Sequence, residues 1–163
     1  MTSPSGSRLP ALGRKGEGWV ALQVVIFALA AAAGWLGVAW PPAARPWLWV
    51  TGGVMMVAGV GLLLAGGAGL GRQLTPFPRP VEEGELRRDG IYGHVRHPIY
   101  GGVVLILLAW TLISSPLALV PFALAVAFFD AKRRREEVWL LARYPDYAAY
   151  RHQVTRRFIP WVC

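Results

Sequence analysis

Two apolar runs of membrane-crossing length constrain this chain more than any other feature. The first extends from Trp19 to Trp40 and is apolar apart from Gln23; the second extends from Trp47 to about Leu70. A spanning helix requires roughly 20 consecutive apolar residues. Pro41-Pro42 ends the first run, because proline lacks the backbone N–H and clashes with the preceding turn. Its apolar core is too long for a secretory signal, and no small-residue cleavage site near it is convincing. Composition agrees. Hydrophobic residues make up 55% of the chain and charged residues 16%, against about a quarter in soluble domains. There are 8 tryptophans, several at the ends of apolar runs, as in the aromatic belts of membrane interfaces.

Two shorter apolar runs follow, about Ile99 to Ile113 and about Leu117 to Phe129, separated by Ser114-Ser115-Pro116. Each falls short of a perpendicular span unless flanking polar turns extend it, with Lys and Arg stems snorkelling. The alternative is a hairpin that dips into the bilayer without crossing. The preferred reading is two tightly connected helices, the second continuing through Asp130–Glu137 into the cytosol. Val138 to Cys163 reads as an amphipathic helix near the headgroups. The expected fold is an all-α integral membrane protein. It has about four transmembrane helices, the last two a tight hairpin, plus a C-terminal amphipathic cytoplasmic helix. Residues 1–18, rich in Gly, Ser and Pro, read as a disordered cytoplasmic tail, and residues 19–71 hold the first two spans. Gly67 and Gly71 fit a small-xxx-small spacing that favours close helix packing within the monomer.

The net charge is +8. Arg8, Arg14 and Lys15 precede the first span, Arg72, Arg79, Arg87 and Arg88 follow the second, and Lys132 to Arg135 follow the fourth. The two opposite connections carry only Arg45. Positive residues stay cytoplasmic, so both termini and the long 72–98 loop are expected on the cytoplasmic side of a bacterial-type membrane. Anionic lipid explains these charges better than nucleic acid, which is not an expected partner. Cys163 is the single cysteine and the last residue. It supports no disulfide or thiolate metal site, and it is not a prenylation signal.

Two polar clusters then fall on the same side. The loop Gly90 to Gly102 contains Tyr92, His94, Arg96, His97, Pro98 and Tyr100. Polar residues at a membrane boundary are costly unless they do something. Pro98 suits the first position of a helix, and a helix start favours anionic groups. The second cluster is Glu136-Glu137, then Tyr144, Tyr147, Tyr150 and Arg151. Adjacent helical residues point about 100° apart, so one of the two glutamates faces a pocket while the other pairs outward. Without thiolates or further partners for His94 and His97, no metal site is expected. Cations, a carboxylate and aromatic faces suit a ligand with a carboxylate, a diol and a positive centre. S-adenosylmethionine has all three, although nucleotide-type cofactors share some of them.

Gly90-x-Tyr92-x-x-x-Arg96-His97-Pro98-x-Tyr100-x-Gly102 resembles the signature of the isoprenylcysteine carboxyl methyltransferase family and its phospholipid methyltransferase relatives. Glu136-Glu137, the aromatic stretch and Ile159-Pro160 resemble the same family's C-terminal elements, and Leu74-Thr75-Pro76-Phe77-Pro78 is similar to its bacterial members. Tyr144-Pro145 departs from a frequent Phe-Gly. The resemblance implies a membrane methyltransferase with residues 72–163 as the catalytic region. It implies that Tyr92, His94, Arg96, His97, Pro98, Tyr100, Gly102, Glu136, Glu137 and Tyr147 line or brace a pocket for S-adenosylmethionine. Arg151, Arg156 or Arg157 would orient a carboxylate acceptor. That acceptor is expected to be lipophilic and isoprenoid-like, entering sideways from the bilayer among the membrane lipids. An Arg-His-Pro-x-Tyr motif also occurs in sterol-type NADPH reductases, usually with Asn where Ile99 stands here. The other alternative is a non-catalytic lipid-binding or assembly protein.

Overall fold

A computed structural model describes residues 10, 12–80 and 84–160. Among them the long elements are all helical: α1 Glu17–Leu36, α2 Arg45–Leu70, α3 Pro98–Ile113, α4 Leu119–Arg143 and α5 Tyr147–Gln153. Both α1 and α2 are long and apolar enough to cross a membrane, while α3 is apolar and shorter. The first helix stops at Leu36, short of Trp40. Gly37 has an extended backbone, and a Cβ there would overlap the Ser115 hydroxyl. Trp35, Trp47 and Trp49 are exposed, as belt residues are, whereas Trp19 is buried in the core against Phe128.

The helices pack as two pairs joined by the α3–α4 hairpin. In the first pair, α2 meets α3 along glycines. A Cβ on Gly59 would lie 2.8 Å from the Gly102 carbonyl oxygen, and a Cβ on Gly102 would lie 2.7 Å from that of Gly59. Gly52 faces Ile113 and Gly66 faces Ile99 in the same way. Small residues let backbones approach this closely, which is how helices associate in lipid. The Gly67–Gly71 spacing does not form this seam: Gly71 has open space beside it. In the second pair, α1 meets α4 through Trp19, Ile26, Phe128 and Phe129. Trp110 of α3 ties the pairs together by donating its indole N–H to the Ala30 carbonyl at 2.9 Å.

Between α3 and α4, Pro116–Ala118 forms one 3-10 turn. The Ser115 hydroxyl accepts from the Leu117 N–H and donates to the Val38 carbonyl. The C-terminal region differs from the expected amphipathic helix. Pro145 disfavours helix at Tyr144, so α4 ends at Arg143 and α5 is only 7 residues long. Beyond it the chain folds back, and Ile159 packs on Leu62, Val95 and Leu105. Most of the expected N-terminal tail, residues 1–9 and 11, and also Cys163, lies outside the described residues. Closer to α1, the Arg14 carbonyl accepts from Arg79 at 2.9 Å, and Gly16 packs on Pro78.

Candidate active site

Gly90 opens a short turn with φ +55°, a left-handed conformation that glycine adopts without strain. The turn lays Tyr92 on α2, where its hydroxyl donates to the Gly66 carbonyl at 3.2 Å. Gly69 lies beneath the ring, where a Cβ would come within 2.9 Å. The next residues are held from the C-terminal segment. The Arg96 and His97 N–H groups donate to the Arg156 and Arg157 carbonyls at 3.1 and 2.8 Å. Pro98 then begins α3.

This backbone aims Arg96 and His97 at α4. Arg96 Nε donates to Glu137 Oε1 at 3.0 Å, and His97 Nε2 lies 3.1 Å from the same oxygen. Arg133 Nη1 lies 3.2 Å from Glu137 Oε2. Arg96 also donates to the Val154 and Thr155 carbonyls. The Glu137 side chain is 6% exposed. Burial alone would raise its pKa, but His97, Arg96 and Arg133 outweigh that and hold it at about 2. A buried charge persists only when its partners satisfy it. The offset of about 100° between neighbouring helical residues predicts one glutamate of the pair facing outward. Instead Glu137 points inward, into this cationic knot.

Glu136 faces elsewhere. The Tyr100 hydroxyl donates to its Oε2 at 2.5 Å, and His97 Nδ1 lies 3.9 Å from that oxygen. The His97 and Tyr100 rings stack at 5.5 Å, 3° from parallel. Tyr100 and Glu136 border a cavity of about 860 Å³, its open mouth included. One wall is the 73–80 loop with Glu85, Leu86 and Arg87; the other is Arg96, His97 and the α4–α5 corner. All 5 tyrosines of the chain line it. Burial raises the pKa of Tyr92 and Tyr147 and pushes Tyr150 up to about 12, so these hydroxyls stay neutral donors at ordinary pH. The Tyr147 hydroxyl and Arg87 Nε are buried and have no hydrogen-bond partner among the described residues. Buried polar groups are nearly always satisfied, so each calls for an explanation.

Residues 47–147 match the model of the phospholipid methyltransferase family. The chain belongs to that family. No curated protein matches it. Family membership makes the chain a membrane methyltransferase, and the matched region contains the knot and most of the cavity. Of the residues expected at the family's cofactor pocket, Tyr92, Arg96, His97, Tyr100, Glu136 and Tyr147 line the cavity. Glu137 stands behind it in the knot. Pro98 and Gly102 pack against α2 glycines instead. His94 is exposed, with Nδ1 3.1 Å from the Gly90 carbonyl oxygen.

Arg151, Arg156 and Arg157 do not line the cavity either. Arg151 is exposed, 4.0 Å from Glu137 Oε2. Arg156 and Arg157 have exposed side chains, and their carbonyls hold the loop. The two sequence clusters leave out the cavity wall made by Gln73, Phe77, Arg79 and Arg87. One signal was available: the similarity to bacterial members already covers residues 74–78.

Proposed function

We propose that the cavity binds S-adenosylmethionine and that the chain transfers its methyl group to the carboxylate of a lipophilic, isoprenoid-type acceptor. The observation that carries this reading is the convergence of all 5 tyrosines and Glu136 on one cavity with unpartnered polar groups. Aromatic faces favour a sulfonium. The Glu136 carboxylate suits the ribose hydroxyls, and the unsatisfied Arg87 Nε suits the donor carboxylate. Tyr147 would gain a partner for its hydroxyl. When bound, the donor supplies an electrophilic methyl group.

The residues of the chain do the rest by position. A carboxylate acceptor is ionised at neutral pH and needs no general base. Catalysis is then alignment of the two reactants and exclusion of water by the 73–80 loop and the tyrosines. Arg96 and His97 are fixed by the knot, and His97 stacks on Tyr100, which orients Glu136. Arg151, Arg156 and Arg157, exposed outside the cavity, are assigned to anionic headgroups or to the acceptor carboxylate. In this reading α3 and α4 complete a four-helix membrane unit with both termini and the cavity cytoplasmic. The donor arrives from the cytosol and the acceptor from the bilayer.

The family match favours a second acceptor, a lipid amine. An amine must lose a proton, and His97 or Glu136, 3.9 Å apart, would accept it. A radiolabelled methyl-transfer assay with purified protein tests both. Label on an isoprenoid acid, discharged by mild base as a methyl ester, is the expected result. Base-stable label on an aminophospholipid would select the amine, and no transfer to any lipophilic acceptor would contradict the proposal.

A further inference from the structure

α4 carries a cation that the methyl-transfer reading leaves unused. Lys132 lies beyond the apolar 117–129 run and is 1% exposed. Its ammonium donates to two neutral oxygens, Gln23 Oε1 at 2.7 Å and the Pro76 carbonyl at 3.0 Å. It also sits 5.4 Å from the centre of the Tyr100 ring. Burying an ammonium is costly unless its surroundings compensate. Here four elements contribute: Gln23 from α1, Pro76 from the loop, Tyr100 from α3 and Glu136 one turn along α4. Burial lowers the Lys132 pKa to about 8, with Glu136 pulling the other way.

Each contact leads to the cavity. Thr75 and Phe77, on either side of Pro76, form part of its wall. Tyr100 donates to Glu136 on the opposite wall. Gln23 is the single polar residue of the first apolar run, and an amide in a spanning helix needs a partner. Its partner is Lys132. Yet α1 lies wholly outside residues 47–147, the part that matches the family.

We propose that Lys132, held by Gln23, is a positioning residue that fastens the 74–80 loop over the cavity and steadies the Tyr100–Glu136 pair. The first helix is thereby a working part of the donor site. This rests on the donor reading above, and the experiment separates the two. Gln23→Leu, Gln23→Glu, Lys132→Met and the Gln23→Leu/Lys132→Met double variant are purified in detergent. S-adenosylmethionine affinity, thermal unfolding and hydrogen exchange at the Thr75 and Phe77 amides are measured for each.

Gln23→Leu and Lys132→Met are each expected to weaken donor binding about tenfold, as loss of a charge-assisted hydrogen bond does, and to speed exchange at both amides. The double variant should be no worse than Lys132→Met, because Gln23 acts through Lys132. Gln23→Glu keeps the acceptor oxygen and should retain wild-type affinity. If Gln23→Leu and Lys132→Met bind the donor like wild type with unchanged loop exchange, the proposal is overturned, even where they melt earlier. If wild type binds no S-adenosylmethionine but the amides still exchange faster in both variants, the fastening role stands and the donor reading fails.

Discussion

Glu136 and Glu137 are neighbours on one helix, yet they belong to two different regions. Around Glu137 both carboxylate oxygens meet basic side chains within 3.2 Å, the guanidiniums of Arg96 and Arg133 and the imidazole of His97. Around Glu136 the partners are a tyrosine hydroxyl and a more distant histidine, and beyond them lies open space. Side chains about 100° apart on α4 let a single turn serve both regions. The knot is saturated and fixes where loop, helix and C-terminal segment meet. The cavity is unsaturated, with the Tyr147 hydroxyl and Arg87 Nε lacking partners among the described residues. On the proposed reading the saturated knot is architecture and the open cavity is the place for a ligand.

Breaking the knot should have the largest effect. Glu137→Ala leaves three cationic or ionisable groups buried without their anion, a loss of about 3–5 kcal/mol. The expected outcome is a large fall in thermal stability and in folded yield, with activity lost as a consequence. The same region predicts acid sensitivity. The carboxyl of Glu137 lies at about 2, below its ordinary 4.5. Unfolded chains therefore take up this proton first as pH falls, and the contribution of Glu137 is full above about pH 5 and lost towards pH 2. Glu137→Gln should flatten that part of a stability–pH profile.

On the cavity side the pattern should invert. Glu136→Gln is expected to weaken donor binding by about tenfold while unfolding close to wild type. Tyr147→Phe is subtler. It removes a hydroxyl that has no partner among the described residues, so stability should hold or rise by about 1 kcal/mol. Donor affinity should still fall severalfold, which calorimetric titration would show. The smallest effects are expected at Arg156→Ala and Arg157→Ala. Their carbonyls, not their side chains, hold the loop, so unfolding should change by less than about 0.5 kcal/mol and donor affinity should not change. A drop in donor affinity there would extend the cavity beyond its present boundary.

Much of this arrangement was legible in the sequence. Apolar length announces α1 and α2, Pro98 announces the start of α3, and charge asymmetry places both polar clusters on one side. What escaped has physical causes. The basic run at Lys132–Arg135 reads as a helix continuing into the cytosol, yet Lys132, Arg133 and Arg135 are buried. Arg133 pairs locally with Asp130 and Glu137, whereas the acceptors of Lys132, Gln23 and Pro76, are distant in sequence. Residues 154–157 dock through backbone hydrogen bonds, which leave no side-chain pattern to read. The α2–α3 seam uses Gly52, Gly59 and Gly66, a seven-residue spacing visible in the sequence and overshadowed by Gly67 and Gly71. The cavity wall at 73–80 and 85–87 was hidden because prolines and charges have no periodicity.

The most direct test is equilibrium binding of radiolabelled S-adenosylmethionine to detergent-purified wild type and Glu136→Gln, with NADPH as competitor. The account predicts saturable micromolar binding to wild type, marked weakening in a Glu136→Gln protein that melts like wild type, and no competition by NADPH. A folded wild-type preparation that ignores S-adenosylmethionine, or binds NADPH tightly in its place, would contradict it.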